Sequence, residues 1–214
     1  ALFATVLLVS NVASTKLVVL GPFTFDGGTL LFPLAYIFGD VLTEVYGYRK
    51  SRRVIWIGFF ALLLATLTFQ AVAHLPAPPD AESQRFGEAF GLLLGLTPRI
   101  VLGSLLAYFL GEFANAYVLA KLKVRTEGRF FWLRALASTL VGQGLDTGVF
   151  LLVAFYGVFP KEVLLAVFLS NYAFKLGVEA LMLPFTYAVV GFLKRAEGMD
   201  AYDRDTDFNP FRLT

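Results

Sequence analysis

The chain has 214 residues, of which 57% are hydrophobic and 16% are charged, and its formal net charge is +2. Soluble domains carry about 25% charged residues, and the mean hydropathy of +0.70 points in the same direction. This composition excludes a soluble globular enzyme and predicts a polytopic α-helical protein embedded in a lipid bilayer. The small net charge also argues against nucleic acid as a partner.

Six apolar runs follow one another along the chain, and each is close to the length of about 20 residues that a membrane helix needs. They cover residues 1–20, 30–46, 54–75, 99–120, 133–158 and 163–193. Because the last run is longer than a bilayer requires, we expect it to tilt, to kink near Pro184 or to begin as an interfacial turn. The sequence thus predicts an all-α membrane protein with a six-helix transmembrane domain over 1–196 and a polar tail over 197–214.

Lysine and arginine are concentrated in alternate connections between the runs. The connections after the second, fourth and sixth runs contain Arg49, Lys50, Arg52, Arg53, Lys121, Lys123, Arg125, Arg129, Arg134, Lys194 and Arg195. The connection over 21–29 has no Lys or Arg, and those over 76–98 and 159–162 contain at least as many acidic as basic residues. By the positive-inside rule, both termini, and with them the tail, are predicted to be cytoplasmic.

The connection over residues 76–98 contains an amphipathic stretch, whose apolar residues are Phe86, Phe90, Leu93 and Leu94. Such a stretch is typical of a helix that lies on a membrane surface, here the outer one. It serves either as an interfacial packing helix or as a lid, and we favour packing.

Metal and cofactor chemistry have little support in the sequence. There is no cysteine and one histidine, His74, which excludes disulfides, iron–sulfur clusters, a His-based zinc site and a Ser-His-Asp triad. Asp203, Asp205 and Asp207 are spaced like the start of a calcium loop, but the Gly and the terminal Glu of such loops are missing. We therefore expect no cofactor, no metal site and no catalytic residue, and we expect the tail to be solvated.

Ionisable residues inside the predicted spans are the strongest functional signal. Apart from Arg99 and Arg134, which stand at the first or second position of a run, they are the carboxylates Asp40, Glu44, Glu112, Asp146 and Glu179 and the ammonium groups Lys16 and Lys175. Each costs about 2.5 to 3.5 kcal/mol at a bilayer centre on insertion scales. A purely structural membrane protein would rarely keep so many, so we expect them to face an interior cavity.

The helical period places these groups on polar stripes. The stripes of five runs consist of Asn11, Ser14 and Thr15; Tyr36, Asp40 and Glu44; Tyr108, Glu112 and Asn115; Thr139, Gln143, Asp146 and Phe150; and Asn171, Lys175 and Glu179. The third run is almost wholly apolar and is predicted to face lipid or a partner subunit. Five polar faces predict a bundle around a central polar cavity.

Each of these groups also has a purely structural interpretation. For Glu112 and Asp146, which lie nearest the centres of their helices, we favour a binding role. The structural alternatives for the others are an intrahelical ion pair between Lys175 and Glu179, a snorkelling Lys16, and pairing of Asp40 or Glu44 with Arg49 or Arg53. The glycines beside them, Gly111, Gly142 and Gly144, permit close helix packing.

The charge balance of the spans indicates the kind of ligand. Five acids against two bases leave three negative charges if all are ionised, which a low-dielectric interior does not sustain. Either some carboxylates are protonated, or a cationic or donor-rich ligand or a coupling ion satisfies them. Carboxylates beside Asn and Gln suit a planar heterocycle with several N–H donors, on which Tyr36, Phe150 and Tyr172 can stack.

Several strings of the sequence resemble one family. They are Ser10–Lys16, Gly39–Gly47, Gly111–Asn115, Gly142–Asp146, Tyr172–Lys175 and Phe208–Phe211. In this order and over essentially the whole chain they resemble the queuosine precursor transporter family, also called vitamin uptake transporters. The resemblance implies a multi-pass importer in the cell inner membrane that carries 7-cyano-7-deazaguanine or 7-aminomethyl-7-deazaguanine for queuosine synthesis.

The implied substrate fits the polar stripes. A 7-deazaguanine offers adjacent N1–H and 2-amino donors to one carboxylate, and an O6 acceptor to Asn, Gln or Lys. The predicted substrate-binding residues are Asn11, Tyr36, Asp40, Glu44, Glu112, Asn115, Gln143, Asp146, Asn171, Tyr172 and Lys175.

Three functional classes compete at this stage. We favour a secondary transporter and leave open its coupling ion, a proton or sodium, and whether it is a homodimer. The alternative is the substrate-binding subunit of an energy-coupling factor importer for a vitamin-like heterocycle. A membrane enzyme is disfavoured, because neither a Gly-x-Ser-x-Gly nor a His-Glu-x-x-His motif is present.

Overall fold

The computed structural model describes residues 1–20, 23–95 and 98–212, and most of them are helical. The α-helices of this part of the chain are α1 (Leu2–Ala13), α2 (Phe32–Val41), α3 (Tyr48–Ala73), α4 (Ala81–Leu94), α5 (Pro98–Arg125), α6 (Phe131–Phe155) and α7 (Lys161–Glu197). Two strands, β1 (Leu17–Leu20) and β2 (Phe23–Asp26), lie between α1 and α2. A 3₁₀ turn over Gly27–Leu30 precedes α2, and a π-helical turn over Leu42–Tyr46 follows it.

Four of the described helices are long and apolar enough to cross a membrane. These are α3, α5, α6 and α7, with 26, 28, 25 and 37 residues, and they coincide with the third to sixth predicted runs. All four exceed the length of about 20 residues that a bilayer requires. The protein is therefore a multi-pass helical membrane protein, as predicted.

The first two predicted spans are shorter in the structure than in the sequence. Helix α1 has 12 residues, and α2 with its π-helical turn covers only residues 32–46. Neither reaches the usual length of a span, so the count of six spans stays a prediction.

The prediction of one continuous span over residues 1–20 is wrong beyond Ala13. Strand β1 pairs antiparallel with β2, with Leu17 opposite Asp26 and Leu20 opposite Phe23. The sequence of β1 is Leu-Val-Val-Leu, and a short apolar run of this kind does not distinguish a strand from a helix by hydropathy. The all-α prediction therefore lacks this hairpin.

The predicted amphipathic stretch forms α4. The carboxylate of Asp80 accepts a hydrogen bond of 2.8 Å from the backbone N–H of Ser83 and so caps the helix N terminus. Phe90 packs edge-on against Phe69 of α3, with 6.3 Å between the ring centroids, while Phe86 is exposed. Its place on the outer membrane surface stays a prediction.

Helices α5 and α6 approach each other most closely where two glycines meet. A Cβ atom built on Gly111 would lie 3.0 Å from the carbonyl oxygen of Gly142, and one on Gly142 would lie 3.0 Å from that of Gly111. Both distances are shorter than ordinary van der Waals contact. The packing role predicted for these two glycines is confirmed, and it brings the polar residues of the two helices together.

The expectation of a solvated tail holds for exposed side chains such as Asp205, but it is wrong for the segment as a whole, which packs against the helices. Residues 200–212, which we call the strap, lie across the adjacent ends of α3, α5 and α7, while Leu213 and Thr214 lie outside the described residues. The indole N–H of Trp56 donates to the carbonyl oxygen of Pro210 at 2.8 Å. The guanidinium of Arg52, which is buried, donates to the carbonyl oxygens of Asp207 and Asn209 at 2.9 and 2.6 Å.

Aromatic contacts hold the same segment in place. The ring of Phe208 lies 4.9 Å from that of Tyr48 and 5.2 Å from that of Tyr117. The ring of Phe211 lies 6.0 Å from that of Trp56. The acidic composition of the strap suggested solvent, but its phenylalanines, its backbone carbonyls and the carboxylates of Asp200 and Asp203 all contact the helices.

Candidate functional site

A cluster of buried and half-buried polar side chains lies where α2, α5, α6 and α7 meet, and we call it the polar core. Its members are Tyr36, Asp40, Glu112, Asn115, Gln143, Asp146, Lys175 and Glu179. All but Glu179 belong to the predicted set. The structure thus brings together side chains from four helices that sequence periodicity could only place on separate faces.

An ion pair joins α6 to α7 in the polar core. The Lys175 ammonium lies 2.9 Å from Oδ2 of Asp146, and 3.4 Å from the hydroxyl of Thr147. The alternative of an intrahelical pair between Lys175 and Glu179 is therefore wrong. Glu112 of α5 lies close enough to Asp146 and Lys175 to interact electrostatically with both, so two carboxylates share one ammonium group.

A hydrogen bond between α2 and α6 orients an amide. The Tyr36 hydroxyl donates to Oε1 of Gln143 at 2.7 Å, and Lys175 lies next to the same hydroxyl. Since the tyrosine engages the amide oxygen, the amide N–H groups of Gln143 remain as donors for a ligand.

A second part of the polar core consists almost only of acceptors. Nδ2 of Asn115 donates to Oδ1 of Asp40 at 3.1 Å. Within the described residues, no hydrogen-bond partner reaches Oδ2 of Asp40, Oδ1 of Asn115 or either carboxylate oxygen of Glu179. Asp40 is 0% and Glu179 is 1% exposed. Buried acceptors without partners are rare and costly, so this region is suited to a ligand that brings hydrogen-bond donors.

Glu179 was missing from the predicted binding residues, although its position on the stripe of Asn171 and Lys175 pointed to it. Its spacing of four residues from Lys175 suggested an internal ion pair instead. In the structure its carboxylate faces Asp40 of α2, and only the crossing of α2 and α7 reveals this partner.

Glu44 does not join the polar core, which corrects the prediction that it binds substrate. It is 1% exposed and accepts two hydrogen bonds from the guanidinium of Arg134, at 2.6 and 3.2 Å. Lys194 lies 2.7 Å and Lys123 3.6 Å from its carboxylate. Both lysines also bind Asp200 of the strap.

We call this set, Glu44, Lys123, Arg134, Lys194 and Asp200, the Glu44 ion cluster. It replaces the predicted alternative of pairing with Arg49 or Arg53. The carboxylate of Glu44 is fully occupied by cations from α5, α6 and α7, so its role is to join these helices to the turn after α2.

Three other predicted residues also lie outside the hydrogen bonds of the polar core. The amide of Asn11 donates to the carbonyl oxygen of Leu7 in its own helix and lines a cavity of about 120 Å³ between α1, α3, α4 and α5. The hydroxyl of Tyr172 donates to the carbonyl oxygen of Leu140 at 2.8 Å. Asn171 is half-buried, and Lys16 is exposed, as expected for a snorkelling lysine.

The polar core lies between the short helix α2 and the helices α5, α6 and α7, which are long and apolar enough to cross a membrane. It combines carboxylates, amides, a hydroxyl and an ammonium group. Ionisable groups in such helices mark substrate or ion pathways. Fold and site together define a membrane transport protein for a small polar molecule.

The sequence profile of the family described as "Putative vitamin uptake transporter" matches residues 26–189, which include every member of the polar core. The match covers most of the chain, and the chain belongs to this family. The family resemblance stated from the sequence is confirmed, and the family is one of transporters.

Individual relatives agree with this assignment. A "Probable queuosine precursor transporter" of Bacillus subtilis (strain 168) is 36% identical over 188 residues, which are 87% of this chain and 80% of the relative. The "Queuosine precursor transporter" of Escherichia coli (strain K12) is 27% identical over 168 residues, which are 76% of this chain and 71% of the relative. No solved structure matches the chain.

Proposed function

We propose that the protein imports a queuosine precursor, 7-cyano-7-deazaguanine or 7-aminomethyl-7-deazaguanine, across the cell inner membrane as a secondary transporter. The names of its relatives suggest the substrate. The observation that supports this substrate in the chain itself is the polar core, where the carboxylate of Glu112 lies near the ammonium of Lys175 and the oriented amide of Gln143 supplies donors.

The edge of a deazaguanine complements this arrangement. Its N1–H and 2-amino groups are adjacent donors, which the carboxylate of Glu112 accepts in our proposal. Its O6 accepts from Lys175 or from the amide of Gln143, both of which are held in place by neighbours. Tyr36 lies in the same cluster and contributes an aromatic face.

Gly39 allows this carboxylate to approach α2. A Cβ atom on Gly39 would lie 3.5 Å from Oε2 of Glu112 and 3.9 Å from Nδ2 of Asn115. A larger side chain at this position would fill the space above both polar groups.

We also propose that the strap faces the cytoplasm, as do both termini. The exposed basic residues Arg49, Lys50 and Arg53 at the start of α3 lie at the same end of the bundle as the strap and the Glu44 ion cluster. The positive-inside rule places this end in the cytoplasm. In this arrangement α1 and α2 complete a six-span protein, with the hairpin near the opposite surface.

Titration of the purified protein with the two deazaguanines tests the substrate, with adenine as the control base. Adenine has no N1–H and no 2-amino group, so the proposal requires that it binds much more weakly. Uptake into lipid vesicles that contain only this protein tests the transport step. A folded protein that binds neither deazaguanine, or that binds adenine equally well, contradicts the proposal. Uptake that requires an added ATPase module would identify the energy-coupling factor class instead.

A further inference from the structure

Asp40 and Glu179 form a carboxyl pair that the proposed substrate contacts do not require. The two side chains come from α2 and α7 and lie within hydrogen-bonding range of each other. Both are fully buried. Of their four oxygens, Oδ1 of Asp40 accepts from Asn115, and the other three have no donor in the part of the chain that the structure describes.

The cations near this pair are already bound to other carboxylates. Lys175, one turn from Glu179, is paired with Asp146 of α6, and Glu112 of α5 adds a further negative charge. At the other side of Asp40, Glu44 binds Arg134 and Lys194.

Asn115 of α5, which donates to Asp40, is a neutral neighbour of the pair. Two adjacent buried carboxylates without a counter-charge do not both ionise, and such pairs share a single proton. A proton between Asp40 and Glu179 would also supply the donor that their oxygens lack.

A sodium ion would need more oxygen ligands than this pair provides. Sodium sites in transporters draw on backbone carbonyls of unwound helix, whereas the carbonyls of Phe38 and Gly39, beside Asp40, accept the N–H of Leu42. Among the residues described, no group of three or more Asp, Glu or His side chains is arranged to hold a metal ion. A proton needs only two facing oxygens.

We propose that Asp40 and Glu179 bind one proton between them and that this proton is the coupling ion of transport, an inference that rests on the proposed function. The proton enters from outside onto a carboxylate oxygen of the pair, which then carries one negative charge instead of two. It leaves to the cytoplasm when the polar core opens to water on that side, because hydration there allows both carboxylates to ionise.

Asn115 connects this pair to the substrate contacts. It donates to Asp40 and lies on the same face of α5 as Glu112, three residues earlier in the helix. Protonation of the pair changes the charge that Asn115 faces. Asn115 in turn borders the part of the polar core where, in our proposal, the base binds. Proton binding and base binding therefore act on one shared side chain.

Accumulation of the neutral cyano base in vesicles measures the coupling, with the membrane potential held at zero. If one proton accompanies each base, one pH unit across the membrane raises the accumulation ratio about tenfold. Asp40→Asn and Glu179→Gln keep the shape of a protonated carboxyl but carry no exchangeable proton. Both variants should lose the gradient-driven accumulation and still exchange labelled base across the membrane.

Glu82→Gln on the exposed helix α4 is the matched control and should keep the tenfold response. Accumulation of the base driven by a sodium gradient would overturn the proposal. So would accumulation by Asp40→Asn or Glu179→Gln that still depends on the pH gradient. If the wild-type protein neither binds nor moves a deazaguanine, the proposed function fails and the second measurement still decides on the proton.

That second measurement is the infrared spectrum of the purified protein without a base. A protonated carboxyl group absorbs in its own C=O stretching band, separate from the carboxylate bands. We expect this band at neutral pH, with intensity lost in Asp40→Asn and in Glu179→Gln but not in Glu82→Gln. A band that neither amide variant weakens contradicts a proton on this pair, whatever the transport result.

Discussion

The carboxylate of Asp203 accepts a hydrogen bond of 2.9 Å from the backbone N–H of Tyr48, so the strap caps the N terminus of α3. Gly47, which precedes the helix with a φ of 82°, has no side chain that could cap it. The other oxygen of Asp203 accepts from the hydroxyl of Thr206 at 2.8 Å. A negative charge at this position also interacts favourably with the helix dipole.

Removal of this cap should destabilise the protein. Asp203→Ala is expected to lower the free energy of unfolding by about 0.5 to 2 kcal/mol, the usual cost of a lost N-cap. The measurement is unfolding by denaturant in detergent. Asp205→Ala, in the same segment but exposed, is the control and should have little effect. Equal effects of the two substitutions would show that the capping bond contributes nothing.

Substitution of Glu44 should affect stability and not substrate affinity. Glu44→Gln leaves the buried guanidinium of Arg134 without its counter-charge, and breaking such a buried pair costs about 3 to 5 kcal/mol. We expect a lower unfolding temperature and an unchanged affinity for the base in the fraction that stays folded. Glu127→Gln, an exposed carboxylate, is the control. A stable Glu44→Gln protein that binds the base weakly would instead support the prediction that Glu44 contacts the substrate.

The contact between α5 and α6 should not tolerate a methyl group. The Cβ of Gly142→Ala would lie 2.8 Å from Cβ of Asn115 and 3.0 Å from the carbonyl oxygen of Gly111. Overpacking of this kind costs about 1 to 3 kcal/mol. Gly177→Ala on α7 meets nothing within 4 Å and is the control. Thermal unfolding in detergent should separate the two variants, and equal stability would mean that the helices can shift apart.

A substitution at Glu112 should weaken substrate binding with little effect on folding. Glu112→Gln replaces one acceptor with a donor, which should cost about 1 to 3 kcal/mol, or about 5- to 150-fold in affinity. Titration of both deazaguanines measures the change. Asp146→Asn is a less specific test, because Asp146 also neutralises Lys175. Wild-type affinity in Glu112→Gln would exclude this carboxylate from base recognition.

The attachment of the strap should depend on pH through Asp200. Burial alone would raise the pKa of Asp200, but its bonds to Lys123 and Lys194 outweigh burial and lower the pKa below its ordinary value. A lowered pKa stabilises the folded state above the ordinary Asp value of about 3.9 and stops doing so as the pH falls below it. The wild type should therefore be more stable than Asp200→Asn at neutral pH, and this difference should disappear in acid.

The difference between the two unfolding temperatures, recorded from neutral pH downward, measures this effect. Subtracting the variant removes the acid sensitivity of the other carboxylates. A difference that stays constant into strong acid would mean that Asp200 does not stabilise the protein through its charge.

Helical periodicity was sufficient to predict the faces of the polar core but not its pairs. Tyr36 and Asp40, and likewise Glu112 and Asn115, share a face because residues three or four apart always do so in a helix. The choice of Lys175 between Asp146 and Glu179 depends instead on where α6 and α7 cross. The spacing of residues along one helix does not reveal the distance between side chains of two different helices.

The errors at the two ends of the chain have different physical causes. Strand β1 is as apolar as a membrane helix, so hydropathy assigned it to a span. The strap is rich in Asp, and composition assigned it to solvent. Three of its contacts use the backbone carbonyl oxygens of Asp207, Asn209 and Pro210, which every residue possesses and no sequence pattern reveals.

The position of the strap at the end of the chain also fixes when it can dock during synthesis of the protein. Residues 200–212 are synthesised after all the described helices, so α3 is inserted before its capping carboxylate and the acceptors of Arg52 exist. The buried guanidinium of Arg52 must remain hydrated at the membrane surface during that interval, because burial of an unpaired charge is too costly. Final docking of the strap is thus a post-insertion step. A ribosome stalled before residue 200 would leave a chain with all its described helices and with the ends of α3, α5 and α7 uncovered and open to a protease.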